Sequence, residues 1–201
     1  MFIEQARELI GVGCSLRPIS ASDTETIVNL RTGNRMYQQN HPEDRTSIEQ
    51  HERWFKKYLS KGDSIHWLIL EKSTGEAVGT TALCDYDQHS HKVRSGPFLI
   101  SDDARIYAFE CQMLRLEFAF EQMEINKVYA IIRTASTEAF NLAIKIGYRH
   151  DGLLRQDWWS GYEYLSYNLV SMLRDEYFEN KDSIYKPYLK KVSKLFDKGR
   201  L

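Results

Sequence analysis

Asn141-Leu-Ala-Ile-Lys-Ile-Gly-Tyr148 closes the stretch from Val93 to Gly152, in which a strand, a helix, a strand and a second helix follow one another. Lys127-Val-Tyr-Ala-Ile-Ile-Arg133 has the β-branched and aromatic content of an interior strand. Thr134 to Ile146 then reads as a helix whose stop is Gly147, a residue that accepts the left-handed turn at a helix end. Upstream, Tyr107 to Met123 is apolar around most of its circumference, with Phe109, Met113, Leu114, Leu116, Phe118 and Phe120. That pattern predicts a helix buried on more than one side, packed centrally across a sheet. Val93 to Ile100 is the strand that feeds it.

Working outward, Gly13-Cys-Ser-Leu-Arg-Pro18 reads as a short strand, and Ser20-Ala-Ser-Asp23 opens a helix expected over Ser22 to Arg31. A polar loop from Gly33 to Arg45 follows, and Thr46-Ser-Ile-Glu49 is a second capping signature. Behind it, Ile48, His51, Trp54, Phe55, Tyr58 and Leu59 recur at three-and-four spacing up to Gly62, which predicts an amphipathic helix. The period then drops to two. Ile65 to Glu71, the turn Lys72-Ser-Thr-Gly-Glu76 and Ala77 to Cys84 form an antiparallel hairpin, and the polar turn Asp87-Gln-His-Ser-His-Lys92 leads to the next strand. Leu153 to Trp159 and Tyr164 to Met172 flank a turn at Ser160-Gly161. The result is an α/β sheet with helices on both faces. The tail from Asp175 alternates lysines with Ile184, Tyr188, Leu189 and Val192, the pattern of an added amphipathic helix docked on the domain or on a second subunit, with a membrane-surface or partner-binding role as the alternative.

A chain of 201 residues suits one domain, expected over residues 1–177, with a lysine-rich helical extension over 178–201. The balance of 27 basic and 28 acidic residues argues against nucleic acid as a partner. No apolar run is long enough for a membrane span, and Met1 to Ile10 carries charges where a signal peptide would be apolar, so a cytoplasmic protein is expected. Cys14, Cys84 and Cys111 are odd in number and far apart, which suits packing thiols, and no metal site is expected. His89 and His91 sit in the polar turn without a nearby cysteine.

Several further pieces fall in a fixed order: Leu16-Arg-Pro18, Ser47-Ile-Glu-Gln-His-Glu-Arg-Trp54, Gly75-Glu-Ala-Val-Gly79, Phe118-Ala-Phe120, Asn126-Lys-Val128, Lys145-Ile-Gly-Tyr148 and Asp151-Gly-Leu-Leu-Arg155. Their order and spacing resemble the GCN5-related N-acetyltransferase (GNAT) superfamily, in its branch of ribosomal-protein N-terminal and nucleotide-sugar amine acetyltransferases, over about Ser15 to Tyr177. The resemblance implies a mixed, mostly antiparallel twisted sheet of about seven strands with a splayed central strand pair. It also implies acetyl-CoA as acyl donor and a primary amine as acceptor. Backbone groups of Phe98, Leu99 and Ile100 would pair the pantetheine arm, and the turn before the central helix, with Arg105, Ile106, Tyr107 and Ala108, would face the pyrophosphate. Ser136 is placed to cap the closing helix or to bond the cofactor.

The chain departs from the family pattern twice. The pyrophosphate loop lacks its first glycine: one register puts Asp103 at the usual basic position and Ile106 at that glycine, whereas a two-residue shift puts Arg105 at the basic position, which an anion favours. The tyrosine or histidine expected on the closing helix is Ala143, which cannot protonate a leaving thiolate. Asp85, Tyr86, His91 and Tyr148 are the remaining candidates for proton transfer, each with an ordinary packing or turn alternative. Arg31, Tyr37, His51, Trp54 and Trp159 are candidates for an acceptor pocket. The expected activity is acetyl transfer to a primary amine, on an amino sugar or a protein N-terminus, by direct attack. The alternative is a degenerate relative kept for acyl-CoA binding or assembly. A longer acyl group stays open, and the last hairpin and the tail are candidate homodimer surfaces.

Overall fold

The computed structural model describes residues 1–34, 37–38 and 47–196. Most of the loop expected over Gly33 to Arg45, the cap expected at Thr46 and the tail beyond Phe196 lie outside these residues. The described residues include eight strands: β1 (Leu9–Ile10), β2 (Cys14–Pro18), β3 (Ile65–Glu71), β4 (Ala77–Asp87), β5 (Lys92–Ile100), β6 (Lys127–Arg133), β7 (Arg149–Trp159) and β8 (Tyr164–Leu173). The α-helices of the described residues include α1 (Thr24–Gly33), α2 (Ile48–Lys61), α3 (Ala108–Glu117), α4 (Thr137–Ile146), α5 (Arg174–Asn180) and α6 (Lys186–Phe196). The sheet is mixed and mostly antiparallel, in the order β1-β2-β3-β4-β5-β6-β8-β7. The added strand, relative to the expected seven, is β1, which pairs Leu9 with Leu16 and Ile10 with Ser15.

One neighbour pair is parallel. β5 and β6 are in register only at Lys92 with Lys127, Val93 with Val128 and Arg94 with Tyr129. β5 runs on to Ile100 beyond the last of these pairs, while β6 keeps β8 as an antiparallel partner along its whole length, to Arg133 opposite Tyr167.

Contacts divide the chain into two compact units, Met1–Tyr86 with Gly96–Leu114, and Asp87–Ser95 with Arg115–Leu201, so the division passes through β5 and α3. The first unit is built on Leu16, Ile27, Ile65, Trp67, Leu68, Ile69 and Leu83, all fully enclosed. In it, Glu110 reaches from α3 to the turn before β2, where its carboxylate accepts from the N–H groups of Val12 and, at 3.1 Å, Gly13. Gly79 is required for close approach: a Cβ there would come within 2.2 Å of the Leu99 carbonyl oxygen. The second unit buries Val93, Leu116, Phe118, Phe120, Val128, Ile146, Met172, Tyr177 and Tyr185.

Where boundaries differ from the sequence reading, a local hydrogen bond is responsible. α1 starts at Thr24 because Ala21–Asp23 forms a 3₁₀ turn, with Asp23 held by Arg17 (2.7 and 3.1 Å) and the Ser20 N–H (2.7 Å). The cap of α2 is Ser47, one residue past the expected threonine, and it exchanges bonds with Gln50 at 3.2 and 3.0 Å. The central helix leaves α geometry at Glu117 for a π turn over Phe118–Gln122 that buries Phe118, Ala119 and Phe120 in succession. Gly62 (φ 65°) and Gly147 (φ 110°) end α2 and α4 as expected. The tail docks on the second unit: Tyr177 donates to Glu121, Lys181 bonds the same carboxylate at 2.7 Å, and the Tyr185 hydroxyl meets the Met172 sulfur at 3.8 Å. Cys14, Cys84 and Cys111 are all buried thiols. No helix among the described residues is long and apolar enough to cross a membrane.

Candidate active site

The first unit contains a cleft lined by Arg31 of α1, His51 and Trp54 of α2, His66 of β3, Thr81 of β4 and Pro97 of β5, among others. The spacing of α2 creates its wall. His51, Phe55 and Tyr58 turn into the core, and Trp54, one turn after His51, lays its ring parallel to Tyr58 at 5.4 Å and edge-on to His66 at 4.9 Å. The His51 and Trp54 rings are 5.0 Å apart. The Arg31 guanidinium lies over Trp54 at 5.9 Å and over Tyr37 at 5.8 Å, within cation–π range.

Two polar atoms in this cleft are buried and unmatched. His51 is 1% exposed; its Nδ1 is 3.2 Å from the Thr24 hydroxyl, and its Nε2 has no hydrogen-bond partner. The Thr81 hydroxyl is also enclosed and unpartnered. Burial, and then the nearby Arg31 charge, hold the His51 pKa below the usual imidazole value, so the ring is neutral at pH 7.

Four of the five expected acceptor residues, Arg31, Tyr37, His51 and Trp54, therefore come together in one unit. Trp159 lies in the other, near the tip of the β7–β8 hairpin, 52% exposed and 4.9 Å from the Tyr164 ring. His66, Thr81 and Pro97 were not singled out from sequence. Alternation along β3 and β4 marks His66 and Thr81 as strand residues, Pro97 lies on β5, and only the tertiary packing shows that they face one opening.

On β5, the Leu99 carbonyl abuts Gly79 and the Ile100 carbonyl accepts from the Asn34 amide at 3.1 Å. In the turn before α3, Arg105 pairs with Asp102 at 2.9 Å, and Ile106 is exposed. Tyr107 instead turns inward to donate to Glu71 at 2.7 Å. Burial and that bond raise its pKa. Ala108 begins α3, and Ser136 precedes α4 without a side-chain capping bond.

The expected proton-transfer residues are divided between the two units. Asp85 adopts φ 55° at a bend of β4, where it pairs with Lys61 at 3.4 Å. Tyr86 stacks on Phe2 at 4.6 Å. In the second unit, His91 is an exposed turn residue (φ 46°) whose carbonyl accepts from the N–H groups of Asn126 (2.7 Å) and Lys127 (3.2 Å). Tyr148 is 5% exposed, in the core of that unit. Among the described residues, no group of three or more His, Cys, Asp or Glu side chains could hold a metal ion.

A mixed sheet whose one parallel pair stops after three residue pairs, with helices around it, is the architecture of an acyl-CoA-dependent N-acyltransferase. Residues 14–149 match the family described as acetyltransferase (GNAT) domain, and the chain belongs to that family. It is an acyltransferase, and members of the family use acetyl-CoA as a substrate. Among solved structures, a GCN5-related N-acetyltransferase from Brucella melitensis is 18% identical, with TM-score 0.79, covering 91% of this chain and 85% of that one. A chimera of the spermidine N-acetyltransferase SpeG from Vibrio cholerae and hSSAT is 16% identical, with TM-score 0.74, covering 83% of this chain and 98% of that one. A Vibrio cholerae protein described as a ribosomal-protein-serine acetyltransferase is 17% identical, with TM-score 0.69, covering 84% and 98%. At these identities the likeness is one of fold. A search of curated proteins found no match.

Proposed function

We propose that the protein moves the acetyl group of acetyl-CoA to a primary amine by direct attack, and that this amine belongs to a neutral or anionic body: a protein N-terminus or a nucleotide-linked amino sugar. The observation that carries the acceptor class is the charge of the cleft. Its described lining includes Arg31 and no carboxylate. A polyamine brings further ammonium groups, and two like charges about 4 Å apart repel by about 1 kcal/mol in water and by several where solvent is thin. The phosphates of a nucleotide sugar or the carbonyls of a peptide are attracted by the same guanidinium.

On the donor side, the continuation of β5 past its last pair with β6 supports pantetheine pairing at Phe98 to Ile100. At the start of α3, the ion pair from Asp102 offsets part of the Arg105 charge. Pyrophosphate binding there draws mainly on the helix dipole.

The test is thiol release from acetyl-CoA with three acceptors: a short peptide with a free N-terminus, a nucleotide-linked amino sugar and spermidine. The expected result is turnover with one of the first two and a kcat/KM for spermidine at least about tenfold lower, the ratio that 1.4 kcal/mol supplies. Spermidine as the best acceptor would refute the acceptor class, and silence with all three would refute amine transfer.

A further inference from the structure

We propose that His51 Nε2 is the base that takes the proton from the acceptor amine, and that Thr24 is a positioning residue that fixes the imidazole in the tautomer able to do so. This deepens the amine-acetylation reading and rests on it. The argument is a count of hydrogens. The Thr24 hydroxyl has one proton, and it is placed to donate that proton to the Ala21 carbonyl at 3.0 Å. Towards His51 Nδ1, 3.2 Å away, the same oxygen then acts as acceptor, so Nδ1 carries the imidazole hydrogen. Nε2 is left with its lone pair, and it is the nitrogen that lacks a partner in a cleft lined by Arg31, Trp54, His66 and Thr81.

The opposite tautomer is worse on two counts. It would bury an Nε2–H donor without an acceptor, at about 1–3 kcal/mol, and it would remove the second of the two hydrogen bonds that the Ala21 carbonyl accepts from Thr24, the first coming from the backbone N–H. The ring is also held firmly in place. The Arg17–Asp23 pair anchors α1, the Ser47–Gln50 cap anchors α2, and Trp54 packs against the imidazole.

The titratable and charged groups around His51 are Arg31 on α1, His66 on β3 and Tyr58 on its own helix, with the Arg17–Asp23 pair at the start of α1. The Arg31 charge opposes protonation of the free imidazole. The step balances simply. An ammonium N–H breaks and its proton goes to His51 Nε2; the freed lone pair attacks the thioester carbonyl carbon, C–N forms and C–S breaks. The second amine proton passes to the departing thiolate, and His51 returns its proton to solvent. The orphaned Thr81 hydroxyl is available to the acceptor's own polar groups.

Two measurements test this. The first needs no acceptor: long-range ¹H–¹⁵N NMR of the folded protein should show His51 as the Nδ1–H tautomer, and an Nε2–H pattern would overturn the proposal. The second compares pH profiles of wild type, His51→Gln, Thr24→Val and Thr24→Ser with a free-N-terminus peptide, glucosamine and butylamine as probes. Removing a general base costs about a hundredfold or more at neutral pH. The His51→Gln deficit should shrink as pH approaches each probe's own pKa, near ~8 for the α-amine and well above that, near ~10.4, for the alkylamine. Thr24→Val should show the same deficit in part, and Thr24→Ser should restore activity. If His51→Gln does not fold, the Thr24 pair and the NMR pattern decide alone. Wild-type inactivity with every probe overturns amine transfer and the base with it. A wild type that is active, beside a His51→Gln deficit that is absent or equal at all pH values, overturns the base alone.

Discussion

Tyr148→Phe separates a proton donor from a packing residue. The Tyr148 ring is 5% exposed and its hydroxyl finds no hydrogen-bond partner. Burial raises its pKa, and the Arg115 charge and then the Ser95 side chain pull the other way. Arg115 itself spends a donor on the Ser95 hydroxyl at 2.9 Å. An enclosed hydroxyl with no partner costs about 1–3 kcal/mol relative to water. Electrostatic attraction from Arg115 recovers part of this, so deleting the oxygen should stabilise the fold by about 1 kcal/mol, or about 2–4 °C in Tm for a chain of this size. A catalytic acid would behave otherwise, with a loss of about 10²–10⁴ in kcat. The assay is paired calorimetry and steady-state acetylation. The expected outcome is a higher Tm with kcat within about twofold, the scale of effects too small to assign to lost proton transfer. A lowered Tm, or a kcat more than tenfold down in a variant that melts normally, would refute the reasoning.

Two further outcomes follow from buried groups. Glu110→Ala leaves the Val12 and Gly13 N–H groups enclosed without their acceptor and should destabilise by about 2–5 kcal/mol in urea unfolding, whereas Glu110→Gln, which retains one acceptor oxygen, should lose about half as much. A loss below 1 kcal/mol for the alanine variant would mean the turn re-pairs elsewhere. Tyr107, Tyr148, Tyr177 and Tyr185 all have pKa values raised first of all by burial, so the folded chain holds these protons more tightly than the unfolded one. Their contribution is complete below the unfolded value near ~10 and is lost as pH rises above it, at up to about 1.4 kcal/mol per pH unit per tyrosine. Phenolate absorbance should therefore appear together with cooperative unfolding. A smooth titration of all 12 tyrosines in the folded state would contradict this.

The elements were legible where a local rule governs them. Lys127 to Arg133 reads as a strand because four of its seven residues, Val128, Tyr129, Ile131 and Ile132, are β-branched or aromatic, and Gly62 and Gly147 end helices because each sits at positive φ. The α2 pattern located His51 and Trp54 on one face from spacing alone. What stayed hidden depends on partners distant in the chain. β1 exists because Leu9 finds Leu16. The π turn at Phe118 answers the packing of three consecutive buried residues and has no local signature. Tyr107 is expected in the turn that would face the pyrophosphate, and its bond to Glu71, 36 positions away, turns its side chain inward.

The missing aromatic acid at Ala143 and the base proposed at His51 are not equal in consequence. A leaving thiolate whose parent thiol titrates near ~8.5 departs close to neutral pH with little protonation. An ammonium, by contrast, has no lone pair and cannot attack at all, and at pH 7 an α-amine with pKa near ~8 is about nine-tenths ammonium, an alkylamine near ~10.4 almost wholly so. The proton that controls the rate is the one leaving nitrogen. Ala143 carries only a methyl group and has no proton to give, whereas Nε2 of His51 stands unpaired in a cleft that also includes Pro97, the residue before the β5 segment proposed for the donor. A family member can thus lose its acid and keep its chemistry, provided its acceptor is an amine that one neutral imidazole can deprotonate. That condition points to the weakly basic amines of N-termini and amino sugars, the same acceptors proposed from the charge of the cleft.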